Sequence, residues 1–78
     1  PNPFSYDGFN VSYYLNQKSA VQFSILDFTG KELLKMNKKY LPSGNYDEYI
    51  ETGQLASGLY LFIANLNGNL KAYKIIKY

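Results

Sequence analysis

Three carboxylates near the middle of the chain are the residues best suited to acid–base or metal chemistry. Asp47, Glu48 and Glu51 lie close together in the sequence. In a strand, Asp47 and Glu51 would share one face with Tyr49, and Glu48 would point to the opposite face. Paired carboxylates can hydrolyse glycosides, and carboxylates joined by backbone oxygens can bind calcium. The interpretation that we favour is a third one, the solvent face of an edge strand, where charges discourage aggregation.

Composition excludes most other site chemistry. The chain has no His and no Cys. Zinc sites of the common types and Ser-His or Cys-His nucleophile pairs are therefore excluded, as are disulfides. Thr29-Gly30-Lys31 is similar to part of a phosphate-binding loop, but the first Gly, the spacing and the following helix are missing. We predict that the domain is not an enzyme and has no catalytic residue, no metal ligand and no cofactor.

The charges and aromatic residues narrow the possible partners. All 8 basic residues are Lys, and the net charge is only +2. Nucleic-acid modules usually carry Arg and a clustered basic stripe, so we predict no nucleic-acid partner. No apolar run is long enough to span a bilayer. Tyr14, Tyr46 and Tyr49 are candidates for an outer surface that stacks on sugars, although tyrosine is also a favoured strand residue.

The elements that position these residues are predicted to be strands. Phe9–Leu15 and Val21–Leu26 alternate apolar and polar residues with the period of a half-buried strand. A turn over Asp27–Gly30 follows, in which Gly30 is free to adopt positive φ. The remaining predicted segments are a short strand over Lys31–Met36, a polar loop over Asn37–Gly44, a strand over Tyr46–Thr52 and an irregular turn over Gly53–Gly58.

The last third of the chain carries the strongest local signal. Asn67-Gly68 separates two strand-like runs, and both residues tolerate the positive φ of a two-residue hairpin turn. This turn predicts that Phe62 faces Tyr73 and Tyr60 faces Ile75 on the core side, while Leu61 faces Lys74 on the other side. The predicted core contains Tyr13, Phe23, Ile25, Tyr60, Phe62 and Ile75.

The fold class follows from the number of strands and their spacing. The 78 residues form one domain, residues 1–78. With a short edge segment at Pro1–Phe4, the pattern predicts about seven strands in an antiparallel β-sandwich. The chain begins Pro1-Asn2-Pro3 with neither Met nor a signal peptide, and we interpret it as a fragment of a longer polypeptide.

The order of the motifs resembles a known family. The chain is similar to the type A C-terminal sorting domain of proteins exported by the type IX secretion system of the Bacteroidetes. This resemblance covers all of residues 1–78. The motifs that carry it are Pro1-Asn2-Pro3-Phe4, Val11–Leu15, Val21–Asp27 leading to Gly30–Leu33, Leu55–Phe62 and Lys71–Lys77.

The resemblance implies both a fold and a role. The family fold is an immunoglobulin-like sandwich of seven strands. The domain is expected at the C-terminus of a cargo protein that reaches the periplasm through an N-terminal signal. The partners implied are the outer-membrane translocon, a surface sortase that removes the domain, and the upstream cargo in the same chain. The cargo is expected to be secreted or held at the cell surface.

The resemblance also names candidate sorting residues. Gly30 matches the family's turn glycine, and Lys74 and Lys77 match its terminal basic residues, which we expect to point outward. The chain departs from the family in ending on Tyr78. The central motif contributes Leu55, Ala56, Ser57, Gly58 and Tyr60. For every one of these candidates, a role in folding alone is an open alternative.

A second class of function is a non-sorting module of an extracellular protein, either structural or carbohydrate-binding. Related immunoglobulin-like domains also begin Pro-Asn-Pro-Phe and end in a Gly-x-Tyr strand, but they usually carry Trp-Asp-Gly before it. Here the equivalent stretch is Ile50–Gln54, and the chain has no Trp. This difference favours the sorting domain.

Overall fold

The computed structural model describes residues 2–4 and 7–78, with the backbone alone for residues 2–4. Pro1, part of the first motif, lies outside the described residues. The eight strands are β1 (Asn2–Phe4), β2 (Gly8–Leu15), β3 (Ser19–Asp27), β4 (Glu32–Lys35), β5 (Lys39–Leu41), β6 (Gly44–Glu51), β7 (Gly58–Leu66) and β8 (Asn69–Lys77).

The strands form two sheets that face each other. The large sheet has the order β1-β8-β7-β3-β4, and β5 also pairs with β3. The small sheet consists of β2 and β6, paired antiparallel. All pairings are antiparallel except that of β1 with β8, which is parallel. The predicted all-β sandwich is confirmed.

The final hairpin has the register that the Asn-Gly turn predicts. Phe62 pairs with Tyr73, Tyr60 with Ile75, and Leu61 with Lys74. Asn67 and Gly68 have φ values of 54° and 86°, so both turn residues adopt the left-handed conformation that a tight hairpin needs. This local turn therefore sets the pairing of β7 with β8.

The core lies between the inner faces of the two sheets. Tyr13 packs against it while partly exposed. Tyr73 is on the inner face of β8 but remains 45% exposed, and it lines an open groove between β2 and β8. The small sheet therefore covers only part of the large one. The buried apolar residues are Leu15, Val21, Phe23, Ile25, Ile50, Tyr60, Phe62, Ala64 and Ile75.

One segment predicted as a loop is partly a strand. Within Asn37–Gly44, residues Lys39–Leu41 form β5 and pair with Ser19–Val21 of β3. The short strand β4 pairs only with Ser24–Leu26, which leaves the first part of that β3 edge open. An open edge presents unpaired backbone groups, so β5 satisfies them despite its polar sequence. This pairing accounts for the eighth strand.

An ion pair joins the two sheets along the side formed by β5 and β6. Lys39 Nζ lies 2.8 Å from Glu48 Oε1, and the Tyr13 hydroxyl donates a hydrogen bond to Glu48 Oε2. Burial by itself would raise the pKa of Glu48, but the hydrogen bonds from Lys39 and Tyr13 and the charge of Lys39 outweigh it and lower the pKa. Burial, together with the Glu48 carboxylate, raises the pKa of Tyr13 and keeps its hydroxyl a donor.

The lowered pKa of Glu48 predicts a stability difference that depends on pH. A carboxylate whose pKa is lower in the folded than in the unfolded protein stabilises the fold above its unfolded pKa, about 4.3 for Glu, and loses this effect as the pH falls further. Because Lys39 is 49% exposed, we expect Lys39→Gln to cost less than about 1 kcal/mol at pH 7. Urea unfolding should show this loss shrinking between about pH 5 and pH 3. Lys38→Gln is the control, since it removes the same charge from the neighbouring exposed residue. Equal losses for the two variants, or a loss for Lys39→Gln that is unchanged at pH 3, would contradict the assignment.

Candidate functional site

The sheet register brings most of the candidate sorting residues to one end of the sandwich. Tyr60 pairs with Asp27 on one side and with Ile75 on the other. The Gly30 turn follows Asp27 directly, and Lys77 pairs with Gly58 at the end of β8. The segment Thr52–Ser57, here called the end loop, leads into β7 at this same end. Residues that are far apart in the sequence therefore surround one surface.

The Gly30 turn is held by its own hydrogen bonds. Asp27 Oδ1 accepts bonds from the Thr29 amide at 2.9 Å, the Thr29 hydroxyl at 2.6 Å and the Lys31 amide at 3.0 Å. These bonds, led by that of the Thr29 hydroxyl, lower the pKa of Asp27. Gly30 has φ of 94°, a conformation that side chains disfavour. Turn geometry therefore suffices to explain this glycine.

The end loop is held by a hydrogen bond of its own and by bonds with Asp7 and Tyr60. The Thr52 amide donates to the Asp7 carbonyl at 2.9 Å, and the Leu55 amide donates back to the Thr52 carbonyl at 3.0 Å. From β7, the Tyr60 hydroxyl donates to the Ala56 carbonyl. Thr52 is fully buried and Leu55 packs against the core, whereas Gly53, Gln54, Ala56 and Ser57 are exposed.

Gly58 connects the end loop to β7 in a conformation that requires glycine. Its φ is 154°. A Cβ built there would lie 3.9 Å from Tyr60 Cε2, which is ordinary van der Waals contact. The backbone angle, rather than a close approach, therefore explains the glycine.

Lys77 is the third anchor of the end loop, and its predicted outward orientation is wrong. The residue is 4% exposed, and Nζ donates to the Thr52 carbonyl at 2.6 Å and to the Leu55 carbonyl at 2.7 Å. Successive strand residues alternate between faces, so Lys77 shares the inner face with buried Ile75. Lys74 lies on the opposite, outer face beside Leu61 and is exposed, as expected. The alternation of side chains along β8 distinguishes the two lysines: Lys74 is adjacent to buried Ile75, whereas Lys77 lies two positions beyond it.

The central carboxylates are divided as predicted. Asp47 and Glu51 are exposed, and Asp47 accepts a hydrogen bond from the Ser12 hydroxyl of the neighbouring strand. Glu48 points inward to Lys39 and Tyr13. No group of three or more acidic residues in the described part of the chain is placed to hold a metal ion. The geometry fits the solvent face of a strand and an inter-sheet ion pair.

The three tyrosines proposed as a sugar-stacking surface do not form one platform. Tyr14 and Tyr49 are 65% and 48% exposed. Tyr46 is instead on the inner face, where its ring stacks on Tyr13 with centroids 5.5 Å apart and its hydroxyl donates to the Pro42 carbonyl at 2.6 Å. The prediction that Tyr46 lies on the outer surface is wrong. Tyr46 is two positions before Glu48 on β6, so the two side chains share the inner face.

An open groove of about 550 Å³ separates β2 from the first half of β8. Aromatic rings form much of its lining, and Lys71 is the one charged residue among the described residues that line it. Within the described residues, no helix has the length and apolar character needed to cross a membrane.

The geometry defines a class of protein. A tyrosine near the start of the penultimate strand whose hydroxyl returns to the backbone upstream is the tyrosine corner of immunoglobulin-like sandwiches. Tyr60 makes this contact with the carbonyl four positions upstream. The central strands β3, β7 and β8 lie in the order of strands C, F and G of that fold. The chain is an immunoglobulin-like β-sandwich domain.

The family follows from comparison with known families. The family model of the secretion system C-terminal sorting domain matches residues 1–78. The chain therefore belongs to the type IX secretion C-terminal sorting domains. A search of curated proteins finds no match, and neither does a search of solved structures.

The tyrosine corner predicts a measurable contribution from one hydroxyl. Tyr60→Phe removes the bond to the Ala56 carbonyl and keeps the ring in the core, so we expect a loss of about 1 kcal/mol in the free energy of unfolding. Tyr14→Phe is the matched control, because that tyrosine is 65% exposed and its hydroxyl should matter by less than about 0.5 kcal/mol. Urea denaturation measures both. Equal stabilities for the two variants would remove the tyrosine corner as a stabilising contact.

Proposed function

We propose that this domain is the C-terminal signal that directs an upstream cargo in the same chain through the type IX outer-membrane translocon. The cargo reaches the translocon from the periplasm. A surface sortase then removes the domain, and the cargo is anchored to lipopolysaccharide or released. The domain acts as a folded recognition module in this process.

The observation that carries the proposal is the family match over the whole chain. The arrangement of the matching residues supports it. The Gly30 turn, the end loop, Tyr60 and Lys77 meet at one end of the sandwich. The end loop combines exposed small residues with a firmly anchored backbone. A surface presented in this way loses little conformational entropy when a partner binds.

The proposal predicts export of a fused reporter. A periplasmic reporter carrying residues 1–78 at its C-terminus, with the native upstream linker, should reach the cell surface or the medium of a type IX-competent host. The same fusion in a host that lacks the translocon should stay in the periplasm. Immunoblotting of the periplasmic, cell-surface and medium fractions measures the location of the reporter in both hosts. Retention of the wild-type fusion in the competent host would sink the proposal and favour a non-sorting structural or carbohydrate-binding module.

We further propose that the domain has no catalytic activity of its own. The chain has no His or Cys, and Glu48, the acidic residue on the inner face of β6, is engaged by Lys39 and Tyr13. Purified domain should therefore release no product from chromogenic glycosides or esters beyond the buffer rate. Hydrolysis that disappears in Glu48→Gln, but persists in the exposed control Glu32→Gln, would overturn this prediction.

A further inference from the structure

The buried ammonium of Lys77 is an unusual feature in a domain this small. A charged group is costly to bury unless strong hydrogen bonds compensate it. At Lys77 two of the compensating hydrogen bonds go to the carbonyls of Thr52 and Leu55, both in the end loop. A lysine on the last strand thus binds the backbone of a segment more than twenty positions earlier in the chain.

These two bonds fix the first half of the end loop, up to Leu55, where the central motif begins. The Thr52 and Leu55 carbonyls flank Gly53 and Gln54, and the Tyr60 hydroxyl holds the next carbonyl, that of Ala56. The inner side of the loop is therefore occupied by polar anchors. Its outer side, Gly53–Ser57, contains no charged side chain and is exposed at every position except Leu55.

We propose that Lys77 is a positioning residue for recognition: its ammonium holds the end loop in shape, and the export machinery contacts the outer side of Gly53–Ser57. This inference rests on the proposed sorting function. Because the loop is uncharged, the fitting partner is a protein surface with neutral hydrogen-bonding groups. Binding of this kind depends little on ionic strength.

The first test measures the loop directly by amide hydrogen exchange. Lys77→Met removes the donors but keeps an unbranched apolar stem of similar length. Charged hydrogen bonds contribute more than neutral ones, so the Leu55 amide, bonded to the Thr52 carbonyl, should exchange at least about tenfold faster. Amides of β3 should keep their protection. Lys74→Met is the matched control on the same strand, and it should leave the Leu55 amide unchanged.

Chemical rescue separates the ammonium from the rest of the side chain. The chain has no Cys, so Lys77→Cys introduces a single thiol. Aminoethylation of that thiol in the unfolded chain, followed by refolding, restores an ammonium at nearly the original distance. Protection of the Leu55 amide should be lost in the cysteine variant and regained after aminoethylation. Rescue by ethylation, which adds bulk without charge, would contradict the proposal.

The second test measures export of the reporter fusion. Lys77→Met should be retained in the periplasm, whereas Lys74→Met should be exported normally. Val21→Ala is the control for stability, because it removes core volume where β3 meets β5, at the other end of the sandwich. Export of each variant is compared with its loss in the free energy of unfolding. For the same loss, Lys77→Met should be exported far less than Val21→Ala. Ala56→Arg, which enlarges an exposed side chain and spares the carbonyl bound by Tyr60, should also block export.

Three further results would overturn the inference. One is a protected Leu55 amide in Lys77→Met, and another is normal export of that variant despite an open loop. The third is a pattern in which export follows global stability alone or depends on Lys74 instead. Failure of the wild-type fusion to leave the cell would count against the sorting function itself, and the exchange experiment would still decide whether Lys77 holds the loop.

Discussion

Phe62 joins the two sheets, and the rest of the sandwich is arranged around it. Its ring stacks on Phe23 of the same sheet at 5.3 Å and forms a T-shaped pair with Phe9 of the small sheet at 5.4 Å. Tyr13 of the small sheet forms a second T-shaped pair with Phe23 at 5.4 Å. Offset and edge-to-face ring pairs add to the free energy of area burial. A chain without cysteines depends on such contacts to hold two sheets together.

The end loop is a consequence of joining those sheets. β6 ends at Glu51 in the small sheet, and β7 begins at Gly58 in the large sheet. The connection must cross from one layer to the other, so its carbonyls cannot pair in either sheet. Lys77 and Tyr60 supply donors to three of them. The bonds from Lys77 and Tyr60 thus satisfy carbonyl groups that the sandwich topology leaves without a partner in either sheet.

Local signals predicted the elements whose geometry is set locally. The Asn67-Gly68 turn specified the register of β7 and β8, and Gly30 marked a true positive-φ turn. β5 was missed because its pairing comes from an open edge of β3, which is a tertiary effect absent from its polar sequence. Lys77 and Tyr46 were predicted to point outward, although the alternation of side chains along their strands places both on the inner face. A charged or phenolic side chain was assigned to solvent, and hydrogen bonds inside the fold outweighed that tendency.

The two terminal lysines illustrate how one motif can combine two physical roles. Three positions apart on a strand, they must point to opposite faces, so they cannot both contact one partner surface. Lys74 lies on the outer face beside Leu61, which its aliphatic stem can cover. Lys77 is buried and bound to the end loop. Removing the last residues of the chain therefore takes away an anchor of the loop together with the end of β8. The consequences of such a truncation begin in the geometry of Gly53–Ser57, some twenty positions upstream in sequence and adjacent in the fold.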